Sequence, residues 1–262
     1  DCEALPLLLC LPELGRPGRL VPDDVRFFGL LEEELGVRFH ARSSLVAQGH
    51  VSVAVALLQA RQMITEGHAG QVLIAAADSL LSGATLADCE ARERVLTSEN
   101  SDGFIPAEGA AALLVQPPGA QAGPQLVCRG LGFALEHAHI DSEEPLRAEG
   151  LAEAIRQSLR DAACGESILE FKIIDASGGQ YAFKEATLAF GRIHRTKRSK
   201  FDVWHPADCI GEVGAPIGAL MIAGLKAACE KAYARGNKVL LHLGNEDGRR
   251  AAMVFSWHAG GS

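Results

Sequence analysis

The sequence predicts a layered α/β fold that is built from two related halves. Apolar strands alternate with helices along its 262 residues, an order that is typical of layered α/β proteins. A pattern also repeats: residues 49–78, a helix of small residues and the strand QVLIAAAD, are matched by residues 218–245, which end in the strand KVLLHLGN. The glycines that bound the two helices are equally spaced. Because both helices are apolar on most sides, we expect them to form a central layer between two sheets.

The first half, residues 1–124, is predicted to contain four strands and two helices. It opens on a continuous apolar run bounded by Pro and Gly, which is typical of a strand that is buried on both faces. Asp23 or Asp24 can cap the first helix, and the Pro- and Gly-rich residues 117–124 are predicted to link the halves. The expected strands are residues 5–11, 37–41, 71–77 and 109–116, and the expected helices are residues 23–35 and 49–66.

The second half, residues 125–262, repeats the alternation and adds one charged segment. The basic run from Arg192 to Lys200 stands against an acidic background and is predicted to be a solvated loop, with docking of an acidic partner as the alternative. The expected strands are residues 125–134, 171–175, 238–243 and 250–257, and the expected helices are residues 145–163, 183–190 and 216–235.

Composition excludes several classes of function. A net charge of −8 repels a phosphate backbone, and two Tyr and two Trp offer few surfaces for base stacking, so we expect no nucleic-acid binding. No uncharged apolar run is long enough to span a membrane. The seven cysteines are scattered without metal-ligand spacing, so we expect a reducing cytoplasm and no metal or other cofactor. The first apolar run has no basic region before it, so we interpret it as a strand and not as a signal peptide. Because the chain starts at Asp1 and not at Met, we expect residues upstream to have been removed or left out.

Several strings resemble the β-ketoacyl synthases of the thiolase superfamily. They are DGFI at residues 102–105, EGAA at residues 108–111 and GHAGQVLIAAAD at residues 67–78, followed in the family's order by residues 132–150 and 211–225. The resemblance implies a thiolase-like α-β-α-β-α fold of two halves, with the family's N-terminal portion missing. It also implies a homodimer joined across an edge strand, which we place at residues 37–43, where Arg38 and Arg42 flank Phe39.

The resemblance breaks at the positions that carry the family's chemistry. The family places a Cys nucleophile at the start of the first central helix, where the helix terminus stabilises a thiolate, and that position here is His50. The two catalytic histidines correspond to Ser177 and Glu212. The loop that helps to form the family's oxyanion site is replaced by residues 245–248, which read as a hairpin turn. Without the nucleophile and both imidazoles neither acyl transfer nor decarboxylation is supported, so we predict a pseudoenzyme with no catalytic residues.

Two groups of polar residues could each form a functional site, and both interpretations stay open. His50, Ser177 and Glu212 are the residue types of a Ser-His-acid triad, and the resemblance implies that they converge in the family's pocket. We expect a disused, remnant pocket there, and a serine hydrolase is the alternative in which the protein is an enzyme. A second group is expected to be a polar loop rather than a metal site, because His-x-His alone does not fix a coordination geometry. Its members are His137, His139, Asp141, Glu143 and Glu144.

The function expected from the resemblance is binding of another protein. Degenerate synthases of this kind occur beside bacterial type VI secretion effectors, so we expect an accessory or effector-loading chaperone or adaptor whose partner is a secreted effector or its adaptor. The alternative is a chain-length-factor-like partner of an active β-ketoacyl synthase. His40 and His242 are expected to be satisfied polar residues on strands.

Overall fold

The computed structural model describes residue 3 and residues 5–19, 24–194 and 201–260. Asp23 and residues 195–200 of the basic run lie outside the described residues. The strands are β1 (Leu7–Leu11), β2 (Ser44–Ala47), β3 (Val72–Ser79), β4 (Glu108–Val115), β5 (Gln125–Leu135), β6 (Phe171–Ile174), β7 (Asp202–Trp204), β8 (Lys238–Gly244) and β9 (Arg249–His258). The helices are α1 (Asp24–Leu35), α2 (Ser52–Thr65), α3 (Gly83–Ala91), α4 (Glu149–Asp161), α5 (Gln180–Ile193), α6 (Ala207–Ile210) and α7 (Ile217–Glu230).

The strands form two sheets that repeat one topology. The first sheet has four strands in the order β2-β1-β3-β4, and the second has five in the order β5-β9-β8-β6-β7. In each sheet the strand after the central helix, β3 or β8, lies between a parallel and an antiparallel neighbour. The order β2-β1-β3-β4 therefore matches β7-β6-β8-β9. Strand β5 has no counterpart among the described residues of the first half, and residues 116–124 separate the two sets of strands.

The helices fill the layers that the sequence predicted. Helices α2 and α7 lie between the sheets, and their apolar residues join those of both sheets in the largest core cluster. Helix α1 packs on the outer face of the first sheet, against alternate residues of β1. Helices α4 and α5 cover the outer face of the second. This is the thiolase-like α-β-α-β-α order.

The glycine repeat is real, but its equivalent positions differ from those that the spacing indicated. Gly49 precedes α2 with a φ of 58°, whereas Gly218 lies inside α7, where it packs against Val53 of α2. The structural counterpart of Gly49 is Gly214, which precedes α7 with a φ of 72°. Glycine adopts this left-handed conformation without a steric penalty. In both places a Cβ would also collide with an acidic side chain, that of Glu13 or of Asp78.

The strand predicted at residues 37–41 is absent, and the edge strand of the first sheet is β2 instead. The backbone N–H of Phe39 donates to the Glu32 carboxylate of α1 at 2.8 Å, and the Phe39 ring packs edge-on against Phe28. These contacts hold the segment against α1 rather than in the sheet. If the chain pairs through this edge, the strand involved is therefore β2 and not residues 37–43.

Four smaller elements differ from expectation. Helix α5 extends beyond the predicted residues 183–190, while the helices α3 and α6 and the three-residue strand β7 were not predicted. His40 lies outside any strand. Within the described residues, no helix is both long enough and apolar enough to cross a membrane.

Candidate functional site

The candidate site lies where the two halves meet. His50 sits in a short 3-10 turn, Gly49–Val51, that leads into α2. Asp175 and Ser177 follow β6, and Glu212 lies between α6 and α7. The first half thus contributes the imidazole, and the second half contributes the acids and the hydroxyl.

His50 is held between two carboxylates. Its Nδ1 lies 3.0 Å from Asp175 Oδ2, and its Nε2 lies 2.9 Å from Glu212 Oε1. The imidazole exposes 22% of its surface, and the Asp175 and Glu212 side chains expose only 10% and 6%. Both ring nitrogens can donate to the two acids only when the ring carries both protons. The geometry therefore favours an imidazolium.

The electrostatics of the site agree with that charge. Burial opposes ionisation of His50, but the attraction of Glu212 and the hydrogen bonds to Asp175 and Glu212 outweigh it and raise the pKa of His50 well above its ordinary value. Burial likewise opposes the Glu212 carboxylate, yet His50, together with bonds from Ser177 and Gly214, holds the pKa of Glu212 below its usual range. One cation therefore faces two anions in a site that is largely shielded from water.

Backbone N–H groups hold the carboxylates of Asp175 and Glu212 in place. Gly244 N–H, at the end of β8, donates to Asp175 Oδ2 at 2.8 Å. Gly214 N–H donates to Glu212 Oε1 at 2.8 Å. Charge-assisted bonds of this kind are among the stronger hydrogen bonds in proteins. The two acids consequently cannot turn away from His50 without losing backbone partners.

Ser177 reaches Glu212 rather than His50. Its side chain interacts with the Glu212 carboxylate and helps to lower the pKa of Glu212, so the three predicted residues do come together, with Glu212 next to both Ser177 and His50. In a Ser-His-acid triad the imidazole lies between the hydroxyl and the acid and takes the hydroxyl proton. Here both imidazole nitrogens face carboxylates, and an imidazolium cannot take a further proton. The arrangement seen is therefore not that of an activated serine.

Each half also bonds to the turn that leads into the central helix of the other. Asn245, directly after β8, accepts from Val51 N–H with its Oδ1 at 3.2 Å and donates from its Nδ2 to the Gln48 carbonyl at 2.8 Å. At the equivalent end of β3, Asp78 Oδ2 accepts from Ala215 N–H at 3.0 Å. These bonds satisfy backbone N–H groups in the turns that precede α2 and α7. In this chain the turn before α2 is thus closed by Asn245.

The comparisons with known proteins concern the fold. No protein-family model matches the sequence, and no curated protein matches it. Solved structures do match. One, described as AntDE:AntF (apo), a type II PKS acyl-carrier protein in complex with its ketosynthase bound to the hexaketide, has a TM-score of 0.79 and 16% identity. The match covers 98% of this chain and 78% of that chain.

Two further structures are ketosynthase and chain-length-factor pairs. The ishigamide ketosynthase/chain length factor matches with a TM-score of 0.65 and 20% identity, over 97% of this chain and 73% of that one. The ketosynthase ApeO in complex with its chain length factor ApeC, from Xenorhabdus doucetiae, matches with a TM-score of 0.70 and 10% identity, over 98% and 75%. The chain has a ketosynthase-like thiolase fold. At these identities the likeness extends to the fold and not to the activity.

The loop that carries His137 and His139 is organised by arginines. Asp141 accepts from Arg92 and from Arg94, each at 2.6 Å, and so links the loop to the first half of the thiolase-like fold. Within the described ranges, no group of three or more His, Cys, Asp or Glu side chains has a geometry that could hold a metal ion. The loop is tied down by ion pairs.

Sequence reasoning missed two residues that organise the site, Asp175 and Asn245. Asp175 lies two residues before Ser177, at the end of the strand predicted at residues 171–175, and that position was the signal that could have identified it. Asn245 is the counterpart of Asp78 in the repeated strands KVLLHLGN and QVLIAAAD, where both are the last residue. The last position of the repeat therefore indicates Asn245, as the counterpart of Asp78.

Proposed function

We propose that this protein is a non-catalytic ketosynthase-like subunit that acts by binding another protein, as a chain-length-factor-like partner of an active ketosynthase. The observation that carries the proposal is the pair of contacts from His50 to Asp175 and Glu212, at 3.0 and 2.9 Å. The position that resembles the family's nucleophile is occupied by a cation that is already neutralised. A condensing reaction needs a nucleophile there.

The charge of the site opposes the chemistry of a condensing enzyme. One imidazolium and two carboxylates leave a net negative charge in a site of low exposure. Decarboxylation of an acidic extender unit requires groups that stabilise a developing enolate, and carboxylates repel that charge. Asp175 and Glu212 therefore disfavour both the binding of an acidic extender and its conversion.

The structures that this chain resembles support the role of a binding partner. Two of the matched structures are described as ketosynthases together with a chain length factor. A chain that keeps this fold while its site is filled by a salt-bridged histidine suits the non-condensing member of such a pair. The type VI secretion role expected from the sequence has no support among these neighbours and stays a prediction.

The first test combines an activity assay with an assembly assay. The isolated protein is assayed for decarboxylation of a malonyl group on an acyl carrier protein, and we expect none. It is then co-expressed with each ketosynthase of its native host that has an intact Cys-His-His site. We expect one of them to form a one-to-one complex, measured by light scattering after size-exclusion chromatography.

Two variants test whether binding of the ketosynthase depends on the candidate site. His50→Ala removes the cation, and His68→Ala is the control because His68 is exposed and pairs only with Glu66 among the described residues. Both should retain the complex if the protein acts through its surface. Decarboxylation by the isolated protein, or labelling of Ser177 by a serine-directed phosphonate, would overturn the non-catalytic assignment. Failure of every such ketosynthase of the host to form a complex would overturn the partner assignment.

A further inference from the structure

Four charged side chains form a closed network that joins the two halves. Arg92 and Arg94 of the first half each contact Asp141 and Glu246 of the second, at 2.6, 2.6, 2.6 and 3.0 Å. One oxygen of each carboxylate faces Arg92, and the other faces Arg94. Ion pairs that form a network of this kind are held more firmly than isolated surface pairs. We call these four side chains the clasp.

The two sides of the clasp are supported differently. Arg92 and Arg94 directly follow α3, and their backbone N–H groups donate to carbonyls of that helix at 3.0 and 2.8 Å. Asp141 lies in the loop between β5 and α4, and Glu246 lies in the turn between β8 and β9. The clasp therefore fastens two loops of the second half to the end of a helix of the first half.

On one side the clasp adjoins the candidate site through Glu246. The two residues before it both hold the site, because Gly244 N–H donates to Asp175 and the Asn245 side chain bonds to the backbone on both sides of His50. Three consecutive residues thus contact Asp175, the turn of His50 and the arginines of the clasp. Loss of the clasp would leave this turn with one anchor fewer beside His50.

On the other side the clasp adjoins the site through two glycines. The backbone of residues 94–96 packs directly on Gly103, where a Cβ would collide with it. The Gly103 carbonyl in turn packs on Gly178, where a Cβ would collide with that carbonyl. Gly178 is the residue after Ser177. The clasp therefore connects the segment that covers Ser177 with the turn that lies beside His50.

We propose that the clasp restricts access to the candidate site by fastening the two halves together across its opening, and that high ionic strength releases it. Its four side chains are 18–47% exposed, so dissolved ions reach them and screen their attraction. The carboxylates that hold His50 are only 10% and 6% exposed and are screened much less. Salt therefore opens the site without breaking the contacts of His50. The proposal concerns access to the site and not its chemistry, so it goes beyond the proposed function and does not depend on it.

The rate at which a thiol in the site is modified measures access to it. Ser177→Cys introduces the thiol, the uncharged reagent is N-ethylmaleimide, and mass spectrometry of the digested protein gives the rate at each position. Exposed Cys209 is the internal reference. High salt, about 1 M NaCl, should raise the rate at position 177 at least tenfold and leave the rate at Cys209 nearly unchanged. An unchanged rate at position 177 would overturn the proposal.

A pair of double variants in the Ser177→Cys background tests the clasp itself. Arg92→Gln/Arg94→Gln breaks the clasp, and Arg156→Gln/Arg160→Gln is the matched control, because those two arginines of α4 share the Glu153 carboxylate on the surface. The first should raise the rate at position 177 at least tenfold at low salt, and the control should not change it. Since a thiolate is the reactive form, removing nearby cations makes the introduced thiol less reactive. Faster modification therefore reports wider access.

A third double variant breaks the clasp from its acidic side. Asp141→Asn/Glu246→Gln keeps both arginines and should accelerate modification at position 177 as the arginine variant does, and it replaces that variant if circular dichroism shows a loss of fold. In a folded clasp variant the rate should also have lost its dependence on salt. A clasp variant with the same rate as the control, or with the salt dependence of the parent protein, would overturn the proposal.

Discussion

His50 and His242 are two histidines with little exposure whose surroundings favour opposite charge states. His50 lies at the junction of the halves between Asp175 and Glu212. His242 lies on β8, where Leu241 and Leu243 point into the central cluster and His242 points to the opposite face of the sheet. Its Nε2 is buried and has no hydrogen-bond partner among the described residues. His242 does lie on a strand, as the sequence predicted, but its Nε2 is not satisfied by any of the described residues.

The comparison shows that carboxylate partners can outweigh the effect of burial on the charge of a histidine. Burial lowers the pKa of both rings. At His50 two carboxylates reverse that effect and raise the pKa. At His242 burial is the largest cause, the Lys172 ammonium and Arg250 add to it, and attraction by Asp175 offsets only part of it, so the pKa of His242 falls to about 3. One histidine holds the two halves together as a cation, and the other stays neutral inside one half.

The largest expected effect comes from removing the His50 cation. In His50→Ala, two nearly buried carboxylates face each other without their cation, and breaking a buried charge pair in this way costs roughly 3–5 kcal/mol. The free energy of unfolding, measured by urea titration at pH 7, should fall by about 3 kcal/mol. The control His68→Ala changes an exposed ring and should stay within about 0.5 kcal/mol. Equal stability of the two variants would mean that the two carboxylates do not depend on His50.

The second prediction uses His242 to produce the opposite pH dependence. A folded-state pKa of about 3 lies below the unfolded value, so as pH falls from about 6.5 the unfolded chain gains a proton that the folded chain refuses, and stability is lost. His242→Leu removes this loss and also the unpaired Nε2. Relative to wild type, the variant should gain about 2 kcal/mol between pH 7 and pH 5. A difference that does not change with pH would contradict a neutral His242.

The fold was largely predictable because its strongest signals are local. The buried run of β1 and the two small-residue helices carry their apolar character within a few neighbouring residues, and α2 and α7 lie where the repeat indicated. The strand expected at residues 37–41 failed for a tertiary reason. Its backbone is bonded to the Glu32 side chain of α1, a contact that alternation of residue types does not reveal.

The candidate site was predictable only as far as the resemblance reached. His50, Ser177 and Glu212 were placed by matching strings, and the structure does bring them together. Their order of contact was not predictable, because it depends on the contact between His50 and Asp175. Asp175 is 125 residues from His50 in sequence, and an aspartate after a strand is too common to indicate this contact. The neutrality of His242 depends mainly on burial, to which the charge of Lys172 from the neighbouring strand β6 adds.

A third prediction sharpens the role of one carboxylate at His50. Glu212→Gln keeps the shape of the side chain but removes the charge that contributes most to raising the pKa of His50. The pKa of His50 should fall by about 1–2 units, measured by NMR titration of the ring. The raised pKa gives stability that is complete below about pH 6.5 and is lost as pH rises through the folded value. The variant should therefore lose that stability at lower pH than wild type, and an unchanged ring titration would show that Asp175 alone holds the proton.

The smallest expected effect concerns Lys172, which lies on the same outer face of the second sheet as His242. Burial lowers the pKa of Lys172 to about 8, and its ammonium donates to the Ala186 carbonyl at 3.2 Å and lies 4.8 Å from the centre of the Phe190 ring. Lys172→Met removes a cation that helps to keep His242 neutral but leaves the burial that contributes most. The pKa of His242 should therefore rise by less than about one unit and stay below its ordinary value, measured by NMR titration. A rise to the ordinary value would assign the neutrality of His242 to Lys172 instead of to burial, and the contrast with His50 would then rest on neighbouring charges at both sites.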